Sequence, residues 1–185
     1  KATSLKTRVM SYFNKVQDDK TTRLVQEIRR IDYQITPSTL EALILEANLI
    51  KEYLPKYNIR EKDDKSFLYL VITNEDFPRP QLIRGLELKK ADKKKFKAVF
   101  GPYLSARSLR AAMDLIRKMI PYSTCQPGQK RACFYYQIGK CPGVCVGKIS
   151  KRDYAKIIRN LMLFFEGKKM KVIQNLKKEM KRLSE

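Results

Sequence analysis

The sequence predicts an α+β protein, and three observations carry that reading. Segments with apolar residues at helical spacing recur along the chain, and two of them open on a capping box, Ser38 with Glu41 and Ser150 with Asp153. Two short runs rich in β-branched residues, Ile31–Thr36 and Ser66–Thr73, read as strands. A hydrophobic share of 43% in 185 residues is enough for a folded core and fits one or two small domains.

Taken in order, Leu5–Phe13 places Leu5, Val9 and Tyr12 on one helical face, and Thr22–Arg30 does the same with Leu24, Val25 and Ile28. Ile31–Thr36 alternates as a strand does. Ser38 caps a helix that runs to about Tyr53 and stops before Pro55, with a buried stripe at Leu43, Ala47, Ile50 and Leu54. Ser66–Thr73 (SFLYLVIT) reads as a strand buried on both faces. Pro78 and Pro80 break the chain before a second strand near Leu82–Arg84. Lys89–Lys97, with seven charged residues in nine positions, reads as a solvated hairpin tip. Phe100–Tyr103 (FGPY) reads as a tight turn into a helix from Ala106 to about Ile120, with Leu109, Met113, Ile116 and Ile120 as its core face. A cysteine-bearing loop follows, then a helix from Ser150 that ends at Gly167. The last segment spaces Ile173, Leu176, Met180 and Leu183 as the opening of an a/d seam that seeks a partner helix.

Composition excludes several chemistries. The chain has no histidine, so it has no Ser-His-Asp triad, no Cys-His pair and no Cys₂His₂ zinc finger. No apolar run approaches the ~20 residues of a membrane span, and no charged-then-apolar leader opens the chain. The expectation is a cytoplasmic protein without a membrane partner, whose four cysteines are reduced. The formal net charge is +21 and it is uneven. Residues 1–60 carry 11 basic and 7 acidic groups, residues 61–124 carry 14 and 8, and residues 125–185 carry 15 and 4. Such an excess implies a polyanionic partner, nucleic acid before a ribosome-like or membrane-surface role.

The carboxylate that stands out is Glu46, whose neighbours one turn away are Ala42, Leu43, Leu49 and Ile50. An acid at the margin of a core face is costly unless it is paired or holds a metal, and Mg²⁺ takes one or two carboxylates with water and phosphate. The plain alternative is a Glu at the stripe's edge reaching solvent or a nearby Arg. Arg8 could clamp a phosphate with its planar fork, or could simply be solvated. Asn58 could orient a ligand, although Asn after a helix is common turn chemistry.

The cysteines are a stronger signal. Cys125, Cys133, Cys141 and Cys145 form a C-x7-C-x7-C-x3-C pattern, with Pro127, Gly128, Gly139, Pro142 and Gly143 between them. Four thiolates can hold tetrahedral Zn²⁺ or an iron–sulfur cluster. The x7 spacings lack the paired knuckles of structural zinc and lean towards a cluster; four unligated thiols are the remaining alternative. Phe134, Tyr135 and Tyr136 read as local core, not as a base-stacking platform. Lys130, Arg131, Lys140 and Lys148 flank the cysteines and could meet DNA phosphates.

Together these blocks resemble the UvrC family of GIY-YIG nucleases, in order and over the whole chain. Lys1–Phe13 (KATSLKTRVMSYF) resembles the segment directly after the YIG motif. Residues 36–58, with EALILEANLIKEYLPKYN, resemble the family's metal-binding helix and the turn that follows. Residues 65–73, FGPY at 100–103 and CFYYQIGKCPGVC resemble the next blocks and the four-cysteine region.

The resemblance implies a truncated GIY-YIG nuclease domain over residues 1–60, a strand–strand–helix region over 61–124, a four-cysteine loop over 125–149 and helices over 150–185. It implies that Arg8 is the active-site arginine, Glu46 the single ligand of Mg²⁺ or Mn²⁺, Asn58 the motif asparagine and Lys1 the lysine that follows YIG. It implies a [4Fe–4S] cluster on the four cysteines, with zinc as the alternative. The partners implied are damaged double-stranded DNA and UvrB, in the UvrA-dependent pathway of nucleotide excision repair and the SOS response, with incision 3′ to the lesion. The family's two motif tyrosines and its first two strands have no counterpart in these 185 residues. The last segment resembles the opening of the UvrB-contacting UVR segment. The expectation is that this chain makes no incision by itself. Two other readings stand beside it: a stand-alone UvrC-related repair nuclease, and a non-enzymatic basic module that binds DNA or RNA around a metal–thiolate centre.

Overall fold

The computed structural model describes residues 1–14, 18–57 and 67–184, the side chain at 183 excepted. The chain forms two compact units, residues 1–62 and 63–185. The helices and the small sheet make it an α+β protein.

The first unit holds α1 (Leu5–Phe13), α2 (Asp19–Glu27) and α3 (Thr39–Tyr53). Each begins where a short polar side chain accepts a hydrogen bond from the third residue on: Ser4 from Thr7, Asp18 from Thr21 and Ser38 from Glu41. The α3 core face is Leu43, Ile44, Ala47 and Ile50. Leu54, expected on that stripe, is instead the left-handed C-cap with φ 44° and is 65% exposed. Past the last helical turn the backbone reverses, so the residue leaves the stripe. Ile31–Thr36 is not a strand. Ile31, Tyr33 and Ile35 are exposed, and no described segment of this unit forms a ladder with them. An alternating pattern makes a strand only where another strand supplies the hydrogen bonds.

The second unit is built on a three-stranded antiparallel sheet in the order β2-β1-β3, with β1 Leu68–Thr73, β2 Pro80–Arg84 and β3 Phe96–Tyr103. The central strand runs Leu68↔Arg84 to Ile72↔Pro80 on one side and Leu68↔Tyr103 to Thr73↔Phe96 on the other. Leu70, Val71 and Ile72 are all fully buried, so this strand is covered on both faces. Pro80 opens β2, where a proline costs no ladder donor.

Lys89–Lys97 is not a simple hairpin tip. Gly85–Lys90 is a short helix (α4), Lys93–Lys95 a 3-10 turn, and Phe96 already starts β3. FGPY lies within β3 and ends it, rather than turning directly into a helix.

Helix α5 (Ala106–Met119) is capped by Ser105 and buries Leu109, Met113 and Ile116; Ile120, its C-cap, is buried with them. A single turn, α6 (Phe134–Gln137), lies inside the cysteine loop. Helix α7 (Lys151–Phe165) is capped by Ser150 and buries Tyr154, Ile158, Leu161 and Phe165. Phe165 lays its ring against Phe100 and Tyr103 of β3, at 5.6 and 6.4 Å between centroids. Helix α8 (Lys169–Ser184) packs on α7 through Val172 and an Asn175–Asn160 side-chain bond of 2.8 Å. Leu176 and Met180 of the expected seam are 38% and 71% exposed.

Ile116 is fully buried in the last turn of α5. Ile116→Ala should lower the stability of this unit by about 2–5 kcal/mol, the usual cost of such a truncation. Urea unfolding followed by far-UV circular dichroism measures it; a midpoint unchanged from the parent would contradict this packing.

Candidate functional sites

Two places gather chemistry, one in each unit. In the first unit Glu46 projects from the middle of α3 into an open trough of about 1040 Å³. Ala42, Leu49 and Ile50 line it as the sequence predicts, together with Leu45, while Leu43, the fourth expected neighbour, is not among the lining residues. Lys1 reaches it, with Nζ 3.8 Å from Oε2 and both side chains about one-quarter exposed. Glu46 is therefore a half-buried carboxylate with one loosely placed cation and free lone pairs, a donor that suits a hard metal ion. Asp32 and Tyr33 line the same trough, which the sequence reading missed; the signal for Asp32 was the polar half of the 31–36 alternation, and Tyr33 carried none.

Arg8 is not among the trough's lining residues. It is exposed on α1, donates to the Tyr12 hydroxyl at 2.9 Å and lies over that ring at 4.9 Å. Asn58 falls outside the described residues.

In the second unit the four cysteines converge. The sulfurs of Cys125, Cys133 and Cys141 lie within 4.8 Å of one another. Cys145 is buried in the same loop, and its thiol acts on that of Cys133. Burial is the largest influence on the Cys133 thiol and pushes its pKa up; the neighbouring sulfurs act in both directions. Cys141 and Cys145 are buried, and all four thiols are free of disulfides. In tetrahedral zinc, Zn–S bonds of about 2.3 Å put sulfurs roughly 4 Å apart, so this donor set is already close to the spacing a metal needs.

The loop that does this is held by its backbone. Cys133 caps α6, and its carbonyl accepts from Tyr136 at 3.0 Å. The Cys145 carbonyl accepts from Gln129 at 2.8 Å. Gly143 has φ 86°, and a Cβ there would stand 2.7 Å from the Tyr136 ring and 2.8 Å from Lys148 Cβ. Ser123, fully buried, places its Oγ 2.9 Å from the Cys125 sulfur. The Tyr154 hydroxyl donates to the Pro78 carbonyl at 2.9 Å and accepts from the Ser123 amide at 3.2 Å. Burial pushes its pKa well up, so it stays a neutral donor.

The expectation of a local aromatic core fails in part. Tyr136 packs on Gly143, but Phe134 is 67% exposed and Tyr135 38%. A four-residue helix has too little surface to bury three large rings on one side. Lys130, Arg131 and Lys148 are exposed on this loop, and Lys140 is half-buried with its amide bonded to the Tyr135 carbonyl. Sequence reading passed over Arg117, which is 5% exposed and stacked between Tyr122 and Tyr135. Its position four residues after Met113, beside the α5 core face, was the available signal.

Residues 1–59 match the family description "UvrC-like GIY-YIG domain", and residues 67–164 match "UvrC/Cho excinuclease, middle domain". The first groups the opening unit with UvrC-like GIY-YIG domains. The chain belongs to the UvrC family.

Similar curated proteins include "UvrABC system protein C" of Thermoanaerobacter sp. (strain X514), 41% identical over the whole chain and 31% of that protein. The proteins of the same name from Francisella tularensis subsp. tularensis (strain WY96-3418) and Caldanaerobacter subterraneus subsp. tengcongensis are 43% and 39% identical over the whole chain and 30% of each protein. The chain thus spans about three-tenths of the length of these relatives. No solved structure matches. Among the described residues, no helix is long and apolar enough to cross a membrane.

Gly143 and Gly139 both have positive φ, but a Cβ at Gly139 meets nothing within 4 Å. Where the four cysteines are loaded with a metal, Gly143→Ala should therefore lose most of it. Gly139→Ala should keep it and cost about 1–2 kcal/mol for the backbone alone. Metal content by elemental analysis separates them; equal content in the two variants would refute the tight packing at Gly143.

Proposed function

We propose that the chain acts in bacterial nucleotide excision repair as part of a UvrC-type endonuclease that incises damaged double-stranded DNA with UvrB. The observation that supports this most is the likeness to UvrABC system protein C, which runs through both units.

In this reading the first unit contributes part of the 3′ incision site. Glu46 holds one Mg²⁺ or Mn²⁺, which supplies Lewis-acid stabilisation at the scissile phosphate. Lys1 balances the Glu46 charge until the metal enters. Arg8 and Asn58 are assigned to phosphate and ligand orientation. The open trough around Glu46 supports the assignment, since a phosphodiester needs room beside the carboxylate. The second unit holds its metal on Cys125, Cys133, Cys141 and Cys145. The x7 spacings favour a [4Fe–4S] cluster, while the close sulfur spacing favours zinc. Lys130, Arg131, Lys140 and Lys148 meet DNA phosphates. The exposed Leu176 and Met180 on α8 suit a helical partner such as UvrB. The site of action is the cytoplasm.

A second reading is favoured by the separation of Arg8 from the Glu46 trough: a basic module that binds nucleic acid without cutting it. Two measurements on the 185-residue chain test the proposal. Binding of a lesion-bearing duplex should weaken with salt, and Lys140→Ala and Lys148→Ala should each lower the slope of log affinity against log salt by about 0.9. Unchanged slopes would remove these lysines from the interface.

Mn²⁺ taken up in the presence of the duplex, followed by the free-ion paramagnetic resonance signal, should weaken about tenfold or more in Glu46→Ala. Metal uptake indifferent to Glu46 would leave the binding-module reading. The chain alone should not nick the duplex, since no residue here matches the motif tyrosines; Mg²⁺-dependent nicking abolished by Glu46→Ala would overturn that.

A further inference from the structure

We infer that the Arg117 guanidinium is the counter-charge of the cysteine centre, a buried positioning residue that offsets the negative charge of a metal–thiolate group and governs how tightly the metal is held. This rests on the reading of the four cysteines as a metal centre.

Arg117 is otherwise unexplained. It is 5% exposed, and an arginine is rarely that buried without an acidic partner. Its neighbours are neutral. The Tyr122 and Tyr135 rings lie 4.2 and 4.0 Å from its guanidinium carbon, and Nη2 donates to Thr124 Oγ1 at a long 3.4 Å. Its Nε is buried with no hydrogen-bond partner. Asp114, one turn earlier on α5, is exposed; its charge reaches the Tyr122 hydroxyl, but no ion pair joins it to Arg117 among the described residues.

The cysteine centre presents the opposite imbalance. Four thiolates around a divalent ion, or around an iron–sulfur core of the same charge, leave a net charge of about −2 in a mostly buried loop. A buried dianion without a cation is costly, as is a buried cation without an anion.

The contacts of Arg117 place it on the wall of that loop. Thr124 precedes Cys125, and Tyr135 lies on α6 between Cys133 and Cys141. The charges of Cys141, Cys125 and Arg117 all act on one hydroxyl, that of Tyr154. The two tyrosine rings also screen the guanidinium from water, and a charge held away from water acts further than a solvated one. Burial pushes the Tyr122 hydroxyl up to about 12, so this ring is a neutral wall and not a competing anion.

The test uses the anaerobically purified chain and its Arg117→Gln and Arg117→Lys variants. Iron, sulfide and zinc are counted first, then metal loss to EDTA is timed. R117Q should lose metal about tenfold faster or more, the scale of an outer-shell substitution. R117K, which keeps the charge, should stay within about threefold of the parent on the same scale. Where the metal is iron, the midpoint potential should fall in R117Q and hold in R117K, a readout that looser packing alone does not give.

Equal retention in R117Q and the parent, or R117K as poor as R117Q, overturns the inference. A parent chain without stoichiometric metal overturns the metal-centre reading, and this inference with it. If R117Q loses its far-UV dichroism, Tyr135→Ser is read in its place. It opens a ring already 38% exposed and admits water to the guanidinium. Faster metal loss then upholds the counter-charge, and unchanged loss overturns it.

Discussion

The second unit depends on the buried hydroxyl of Tyr154. One oxygen on the first turns of α7 ties together two chain segments far apart in sequence, the Pro78 carbonyl ahead of β2 and the Ser123 backbone ahead of the first cysteine. A fully buried phenol that bonds on both sides avoids the cost of an unpaired hydroxyl and fixes direction as well as distance. Once Ser123 is held there, its own Oγ can stand against the Cys125 sulfur, and Thr124 can face Arg117. The cysteine loop is therefore referenced to the sheet through α7, although its own segment has little regular structure. Phe165, three turns along the same helix, packs on β3 and keeps α7 from rotating.

Helices were legible in the sequence because their ends are chemically marked. Ser38, Ser105 and Ser150 each accept from the third residue on, and the spacing of Leu109, Met113 and Ile116 leaves one face for α5 to bury. The strands were harder. The both-faces burial of β1 could be read from an unbroken apolar run, but β3 begins directly after a lysine cluster whose charge suggested a loop tip. Ile31–Thr36 had the right alternation and no partner. Strand formation is a property of a pair, and one segment's pattern cannot supply the other.

The sites were legible to different depths for the same reason. Four cysteines within 21 residues announce themselves, and so does a glutamate amid apolar neighbours. What supports the cysteines did not show. Arg117 is one of 40 basic residues, and its place beside the α5 core face is only a faint local mark; its burial arises when Tyr122 and Tyr135, on segments beyond α5, close over it. Ser123 and Tyr154 are ordinary polar residues until the fold removes water from both. Outer-shell residues are set by tertiary packing, which spacing along the chain encodes weakly.

The two units also differ in the kind of ion they can hold. The trough in the first offers carboxylate oxygen, half-exposed, with space for water and phosphate; that chemistry suits a small hard cation which arrives with its substrate and leaves with it. The loop in the second offers thiol sulfur, largely buried and fixed by backbone bonds. Such a site selects softer metals and gives them no open coordination position when all four sulfurs bind, which is the pattern of a resident structural or redox centre. Removal of a labile Mg²⁺ or Mn²⁺ from the first would leave the second unit folded, whereas stripping a sulfur-bound metal would leave four sulfurs without the cation that draws them together.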